Sequence, residues 1–486
     1  MAACMLPADV GSPWLGEAVF KTDAGALTFG CPPGCVADAS ISVLDLSGVL
    51  RAACASCRQE NWETGMQVLY KRCAAPDVGK DVIAVAVRLP GAGPDGRVTV
   101  KRTYKTFYGV LREMARWLVA QGVTHVAMES TGSYSLPVYH ALLEFGDFER
   151  VLVVNAAHVK NVPGRKTDLA DAEWLAQLLE CGLLAGSFIP PADVKAVRDL
   201  VRYRAKIARQ RVAEIARLGD VLQDAAIKID SVASSIATRS GRLMIEALTG
   251  GERRGQVLAD LAIGKMRAKI PDLPVALEGR FGEHHAMLCR LHLDHIDHLE
   301  AMIAELDARI EAMMVPFRAA RDLLVTIPGI AVISAAAVIS EISPAPREYF
   351  PTAGQLASWT GICPGNHESA GKSSSGRRRH GNKHLQPILV EIAWAAIRHD
   401  GYLKSLFHRH VMRNGGYRSK TARNKAIITV AHAILVIIWH VLTTGKPYHE
   451  LGPDYFDRRI DPDRETARLI ARLEALGKHV TVEDAA

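Results

Sequence analysis

Residues Arg165 to Leu175 read R-K-T-D-L-A-D-A-E-W-L, and the rest of the chain is organised around them. Asp168 and Asp171 stand three apart at the opening of an apolar-periodic helix, so their side chains share one helical face. Two carboxylates aimed at one spot repel each other unless a cation sits between them. The alternative is an ordinary helix N-terminus, where acids suit the dipole and Thr167 or Asp168 caps. What lies upstream favours chemistry.

From Met66 the pattern is that of strands. Val68 to Ala75 leads into Pro76-Asp77, Val82 to Val87 is a buried apolar run, and turn-rich Gly91 to Gly96 precedes Val98-Thr99-Val100. Three antiparallel strands are expected here. A helix follows at Thr106 to Gln121, where Phe107, Val110, Leu111, Met114 and Leu118 recur at helical spacing. Then come a strand at His125 to Met128, a helix near Leu136 to Glu144, a strand at Val151 to Asn155 and the helix opened by Asp168. Such an order implies an α/β sheet with helices on its faces. Asp77 closes the first strand and Glu129 the fourth, so strand ends and a helix start gather four acids from distant sequence. One or two Mg²⁺ ions would offset their repulsion and accept oxygen ligands. Taken singly, Asp77 also reads as a turn aspartate and Glu129 as a capping acid.

Four motifs in order carry a resemblance: A-P-D-V-G-K around Asp77, M-E-S-T-G-S-Y around Glu129, V-V-N-A-A-H-V-K from Val153, and K-T-D-L-A-D-A from Lys166. Together they resemble the RuvC-like, RNase H fold domain of the insertion-sequence 110 transposases. The resemblance implies that Asp77, Glu129, Asp168 and Asp171 are a metal-binding tetrad. Pro76 stands where that family carries an apolar residue, and proline cannot donate to a sheet ladder.

Residues 1–65 differ from everything after them. They hold seven acids against three bases, which leaves +11 for the remainder of a chain with formal charge +7, a balance suited to a polyanionic partner. Five of the nine cysteines lie here, and nine in so long a chain without a secretory leader point to a reducing interior. Cys31, Cys35, Cys54 and Cys57 have spacings open to tetrahedral zinc, but the glycine expected after a knuckle cysteine is missing at Val36 and Arg58. An irregular, over-extended leader before a domain at 66–190 is the preferred reading.

Pro190-Pro191 opens a helical stretch, 191–320. A long helix from Ala192 has Val194, Val197 and Val201 on one face and Lys195, Arg198, Arg202 and Arg209 on another, which is either a solvated face or a phosphate contact. Further on, Ile296, Leu299, Ile303, Leu306, Ile310 and Met313 form a heptad seam that predicts coiled-coil pairing within or between chains. His284, His285, His292, His295 and His298 read as a polar helix face rather than a metal site.

A third region, 321–450, begins with Ile327-Pro328-Gly329-Ile330, which looks like the turn of a helix-hairpin-helix, its N–H groups suited to a phosphate. Gly371 to Lys383 holds five Lys/Arg and no acid, in a mobile Gly/Ser setting. Gly361-Ile362-Cys363-Pro364, Glu368-Ser369-Ala370-Gly371 and Gly381-Asn382-Lys383-His384-Leu385 resemble the second-domain signatures of the same transposases. That resemblance implies that Ser369 is the nucleophile, with Ser373, Ser374 and Ser375 as neighbouring competitors. A serine needs an activator, for which the tetrad's Mg²⁺ is the natural choice. Gly401 to Ala426 is again acid-free and basic, with aromatics between the cations. Ile427 to Leu442 is apolar but short and holds two histidines, so a buried helix is expected and no membrane span. The charged tail, 451–486, carries a helix at Glu465 to Leu476.

The expected function is a DNA transposase or recombinase that cuts and exchanges strands through a phosphoserine. Candidate nucleic-acid contacts are Lys160, Arg165, Lys166, Lys372, Arg377, Arg378, Arg379, Asn382, Lys383, Arg413, Arg418 and Lys420. The resemblance further implies a noncoding guide RNA and a homo-oligomer, and the partner chemistry suggests a cytoplasmic, nucleoid-associated protein. The alternatives are a hydrolytic Holliday-junction nuclease using the tetrad alone, and an inactive nucleic-acid-binding remnant.

Overall fold

A computed structural model describes residues 68–93, 96–155, 168–364, 380–459 and 461–481, with backbone alone at 168–169 and in four further strands, Glu17–Thr22, Gly25–Gly30, Glu368–Ser369 and Lys372–Ser373. The chain divides into two compact units, Met1–Ser187 and Phe188–Ala486. The zinc candidates Cys31, Cys35, Cys54 and Cys57 lie outside the described residues, as do Lys160, Arg165, Lys166, Arg377, Arg378 and Arg379.

Within the supposedly irregular leader, β1 (Glu17–Thr22) pairs antiparallel with β2 (Gly25–Gly30), Glu17 opposite Gly30. These runs of Val, Phe, Leu and Thr have strand propensity but are too short to show as periodicity.

The first unit is built on a five-stranded mixed sheet. Its strands are β3 (Cys73–Val78), β4 (Val82–Pro90), β5 (Arg97–Lys105), β6 (His125–Glu129) and β7 (Arg150–Val154), ordered β5-β4-β3-β6-β7. The first three are antiparallel, while β3, β6 and β7 run parallel. Helices α1 (Tyr108–Ala120) and α2 (Ser135–Phe145) follow β5 and β6. The first strand begins later than its apolar run suggests, so Pro76 and Asp77 sit inside it. Helix α3 (Asp168–Glu180) buries Ala172, Leu175 and Ala176 against Ala75, Ala84 and Ala86 of the sheet. Alanine meeting alanine lets the helix lie close to the strands. Its far end is pinned by buried Glu180, which accepts from Arg88 Nε at 2.7 Å and pairs with Arg97.

In the second unit α4 (Ala192–Asp224) lies antiparallel to α5 (Glu283–Met313), as the partners Arg204–Asp307, Arg211–Glu300 and Glu214–His292 require. Short helices between residues 229 and 276 close a core with Leu218, Leu222, Leu293 and Ile296 at one end of this pair. At the other end Val194, Val197, Val201 and Ile310 join a second core. The apolar seam thus packs within the chain. Ile296, Leu299 and Ile310 are buried, whereas Ile303, Leu306 and Met313 are half-buried.

The second core is completed by α6 (Arg318–Val325), α7 (Val332–Ile342), α8 (Ala353–Thr360), α9 (Leu385–Ala396), α10 (Tyr402–Arg413) and α11 (Lys420–Thr444). Between α8 and α9, β8 (Glu368–Ser369) pairs with β9 (Lys372–Ser373). Helix α11 is long and apolar enough to cross a membrane, but 44% of its most apolar window is buried inside the protein. Ala426, Val430, Ala431, Ile434, Leu435 and Ile438 face the core. The tail helix, α12 (Pro462–Glu474), has no buried residue.

Candidate active site

All four acids lie on the sheet and α3, Asp77 and Glu129 on strands and Asp168 and Asp171 in the first turn of the helix. In the β3–β6 ladder Cys73 stands opposite His125 and Ala74 opposite Val126, an offset of 52. Carried forward, that offset sets Asp77 level with Glu129 at the carboxyl ends of adjacent parallel strands. Each is the one half-buried position of its strand, Asp77 next to the last residue of β3 and Glu129 the last of β6. By strand alternation Asp77 shares its face with Cys73 and Ala75, and Glu129 with Ala127. This is the face that α3 covers: Leu179 packs with Cys73 and Ala127, and Ala172 with Ala75. Helix α3 therefore runs antiparallel to β3, and its first turn, with Asp168 and Asp171, lies toward the strand ends that carry Asp77 and Glu129. Asp171 is exposed, and Asp168 opens the helix. Carboxylates in such a set offer oxygen ligands only, the donor chemistry of a hard divalent cation.

Pro76 has a simple place in this geometry. Gly79 N–H donates to Val82 O and Thr124 N–H to Arg72 O, so odd-numbered residues of β3 bond to β4 and even-numbered ones face β6. Proline's missing donor faces β6, where the ladder is registered only at Cys73 and Ala74. Pairing between the two strands stops short of the acids they carry.

Ser369 lies in the second unit, in a two-residue ladder where it stands opposite Lys372 and Glu368 opposite Ser373. The register thus separates Ser369 from its competitor Ser373, which takes the other face. Ser374 and Ser375 lie outside the described residues. The segment bearing Ser369 is pinched at its base. Gly361, in the left-handed region at φ 76°, and Gly381 meet backbone to backbone, and a Cβ on Gly381 would lie 2.1 Å from Thr360 O. Gln386 Nε2 donates to Thr360 O at 2.7 Å across the same neck.

One residue that sequence reasoning passed over ties this neck to the long helices. Glu341, 1% exposed, accepts from Arg202 Nε (2.7 Å) and Nη2 (2.8 Å) and from Asn382 Nδ2 (2.7 Å). Arg198, also buried, donates to Ser340 O and Glu341 O. Burial works against the Glu341 carboxylate, yet Arg202, Asn382 and Arg198 hold its pKa below the ordinary value. Arg198 and Arg202 are therefore neither a solvated face nor a phosphate contact. Asn382 is committed too: its Oδ1 accepts from His384 N–H and Leu385 N–H at the start of α9. The legible signal was a lone acid in the apolar run Val332–Ile342.

The Ile327–Ile330 turn does join two helices, but it packs inward. A Cβ on Gly329 would lie 2.5 Å from Ile392 O, and Ala331 N–H is already bonded to Ser334 Oγ. Of the histidines, His284, His295 and His298 are exposed, as a polar helix face requires, while His285 is buried and His292 half-buried. His292 and His295 present Nδ1 to buried Glu214 at 2.6 and 3.2 Å, and His292 foremost brings that carboxylate's pKa down to about 2. Asp224, His284 and His285 come close enough to suggest a metal. However, His285 Nδ1 accepts from Gly282 N–H at 3.0 Å, which places the ring proton on Nε2, facing Asp224 at 2.9 Å. A nitrogen carrying a proton is not a ligand.

Lys383, Arg413, Arg418 and Lys420 are exposed, as are Arg423 and Lys425. The last four crowd the beginning of α11, whose first turn has no acid, so cations stand at the positive end of the helix dipole. A polyanion would relieve both charges.

Comparison with known proteins follows the same two blocks. A transposase model of the DEDD, IS110 type matches residues 74–227, and the model of the transposase IS116/IS110/IS902 family matches residues 321–408. The chain is 26% identical over 326 residues to a probable family 20 transposase of Pseudomonas aeruginosa, covering 66% of this chain and 85% of that protein. It is 27% identical over 342 residues to the putative transposase y4pF/y4sB of Sinorhizobium fredii, covering 70% and 78%.

Proposed function

Since the chain is a transposase of the IS110 family, an enzyme acting on DNA, we propose that it cuts and exchanges strands by a phosphoserine route at Mg²⁺ held by its first unit. What supports this reading is the β3–β6 offset, which, extended to the strand ends, brings Asp77 level with Glu129 on the face that α3 covers. The sheet order β5-β4-β3-β6-β7, with β4 antiparallel to its neighbours, supports an RNase H-like, RuvC-like fold. Asp77, Glu129, Asp168 and Asp171 would hold the cation, which when bound neutralises phosphate charge and lowers the pKa of a bound hydroxyl. The chain's own contribution is positional. Strand ends fix two acids, the helix start supplies two more, and the Glu180 anchor sets how far α3 reaches. Ser369 Oγ attacks phosphorus and gives up its proton to solvent, the Oγ–P bond forms, and the P–O bond to the leaving sugar breaks as that oxygen takes a proton from solvent, so the exchange is proton-neutral. The covalent link keeps the phosphoester for rejoining, so exchange needs no hydrolysis. Lys372, whose backbone pairs opposite Ser369, would supply a cation for the phosphate. Exposed Lys383, Arg413, Arg418 and Lys420, together with Lys160, Arg165, Lys166, Arg377, Arg378 and Arg379, supply phosphate affinity. Asn382 serves the neck instead.

A guide RNA, a homo-oligomer and an intracellular, nucleoid-associated setting belong to the same proposal, since the family chemistry needs paired DNA ends brought together. Replacing Asp171 by Asn should lower Mg²⁺-dependent cutting at least a hundredfold while DNA binding stays within about threefold, because one lost ligand removes charge stabilisation worth several kcal/mol. Undiminished cutting by that variant would overturn the tetrad. A hydrolytic nuclease using only the acids is separated by Ser369→Ala, which such an enzyme would tolerate.

A further inference from the structure

We propose that the first unit holds a pocket for one unpaired DNA base at the carboxyl edge of the acid-bearing strands. The proposal rests on the transposase reading above and deepens it. The pocket, about 180 Å³, is lined by Gly79, Lys80, Thr106, Leu111, Ser133, Tyr134, Pro137 and Val138. Its two polar walls are the segments that leave the acid-bearing strands. Lys80 comes three residues after Asp77, and Tyr134 five after Glu129, so the pocket opens at the same edge of the sheet.

Its chemistry is that of a nucleotide seat. Leu111 and Val138 give a buried apolar floor. Tyr134, 48% exposed, stands at the rim with its ring open to stacking. Lys80 is exposed, and no ion pair engages it among the described residues. Ser133 and Thr106 bring hydroxyls for a base edge, although Thr106 Oγ1 already donates to Lys80 O at 3.0 Å and so is left as an acceptor.

Both walls are built rather than loose. Gly79 N–H donates to Val82 O at 3.0 Å, and a Cβ there would lie 2.8 Å from the same oxygen, so the turn carrying Lys80 is tight. On the other wall Gly132 takes φ 61°, Tyr134 N–H donates to Thr131 O, and Ser135 Oγ donates to Gly132 O. Asp77 and Glu129 face α3 whereas the pocket's floor comes from α1 and α2, so a strand held at the acids would cross the carboxyl edge of the sheet to lay a neighbouring base on this rim. Stacking on an aromatic ring is tolerant of sequence and favours an unstacked base, as at a strand being exchanged. Lys80 would take the adjoining phosphate.

The test uses the full-length protein and a short single-stranded DNA carrying one 5-iododeoxyuridine, with Ca²⁺ in place of Mg²⁺ so that no strand is cut. Irradiation should join the base to the peptide containing Tyr134. Tyr134→Leu should abolish that cross-link and weaken binding about five- to tenfold, the scale of one lost stacking contact. Tyr134→Phe should retain both, which separates stacking from the hydroxyl. Lys80→Ala should reduce the slope of log affinity against log salt by about one phosphate contact. Cross-links falling only on other residues, with Tyr134→Leu binding within twofold of wild type, would overturn the pocket while leaving the transposase reading intact. A cross-link made only by RNA of the same sequence would overturn the DNA assignment. Wild-type protein that neither binds nor cuts DNA would sink both readings.

Discussion

Replacing Glu341 by Ala should destabilise the second unit more than any surface charge change. Its carboxylate is 1% exposed and receives three hydrogen bonds, two from Arg202 and one from Asn382. Bonds to a charged group contribute about 1.5–3 kcal/mol each, but the larger effect is what remains. Buried Arg198 and half-buried Arg202 lose their counter-charge, and breaking a buried pair in this way costs about 3–5 kcal/mol. An expectation of about 4 kcal/mol, at a urea m-value of roughly 3 kcal/mol/M, moves the unfolding midpoint down by about 1.3 M. The internal control is Glu300→Ala, whose partner Arg211 sits in a pair 46% exposed on the acid side and should matter by less than about 1 kcal/mol. Because Asn382 also loses its anchor, limited proteolysis between residues 362 and 380 should accelerate in the first variant alone. Equal midpoint shifts for the two variants, within about 0.5 kcal/mol, would refute the reasoning.

The pH dependence of stability should show Glu214. Its folded pKa of about 2 lies below its ordinary 4.5, so its stabilisation is full above pH 4.5 and is lost as pH falls toward 2. Glu214→Gln should therefore differ from wild type by at most ~3 kcal/mol above pH 5 and converge with it near pH 2, read by denaturant titration across that range. Gly381→Ala forces a Cβ onto Thr360 O and should cost about 1–3 kcal/mol, measured by thermal melting, with faster proteolysis of the pinched segment. Pro76→Ala should leave cutting within about threefold, since the restored N–H faces β6 beyond its registered pairs and has little to gain.

The sequence carried most of the sheet because β4 and β6 are short apolar runs between turn residues and differ from expectation only at their ends, whereas β5, expected at Val98–Val100, runs from Arg97 to Lys105 through mostly polar residues. Asp77 is read from the sequence as closing the first strand, and the structure carries that strand one residue further, to Val78, with Pro76 inside it. The common level of Asp77 and Glu129 could not be read at all, since register between distant strands is a property of pairing. The same limit hid the Glu341 cluster. Arg198 and Arg202 sit at the spacing of an ordinary charged face, and only the position of α7 against α4 shows Arg198 to be buried and Arg202 half-buried against Glu341. The contact of His292 and His295 with Glu214 was hidden for a related reason: Glu214 lies 78 residues before His292. Gly361 and Gly381 were visible as motif residues, but their purpose, two backbones in contact, is a tertiary fact.

The most direct test of four acids and one serine working on DNA is to trap and map the covalent adduct. Full-length protein is incubated with Mg²⁺, its element's end DNA and its noncoding RNA, then digested, and the DNA-linked peptide is sequenced by mass spectrometry. The linkage should fall on Ser369, and it should vanish in Asp77→Asn, Glu129→Gln and Asp171→Asn proteins that still bind the DNA. Strand cutting with no adduct on any serine, or an adduct that persists in those variants, would contradict it.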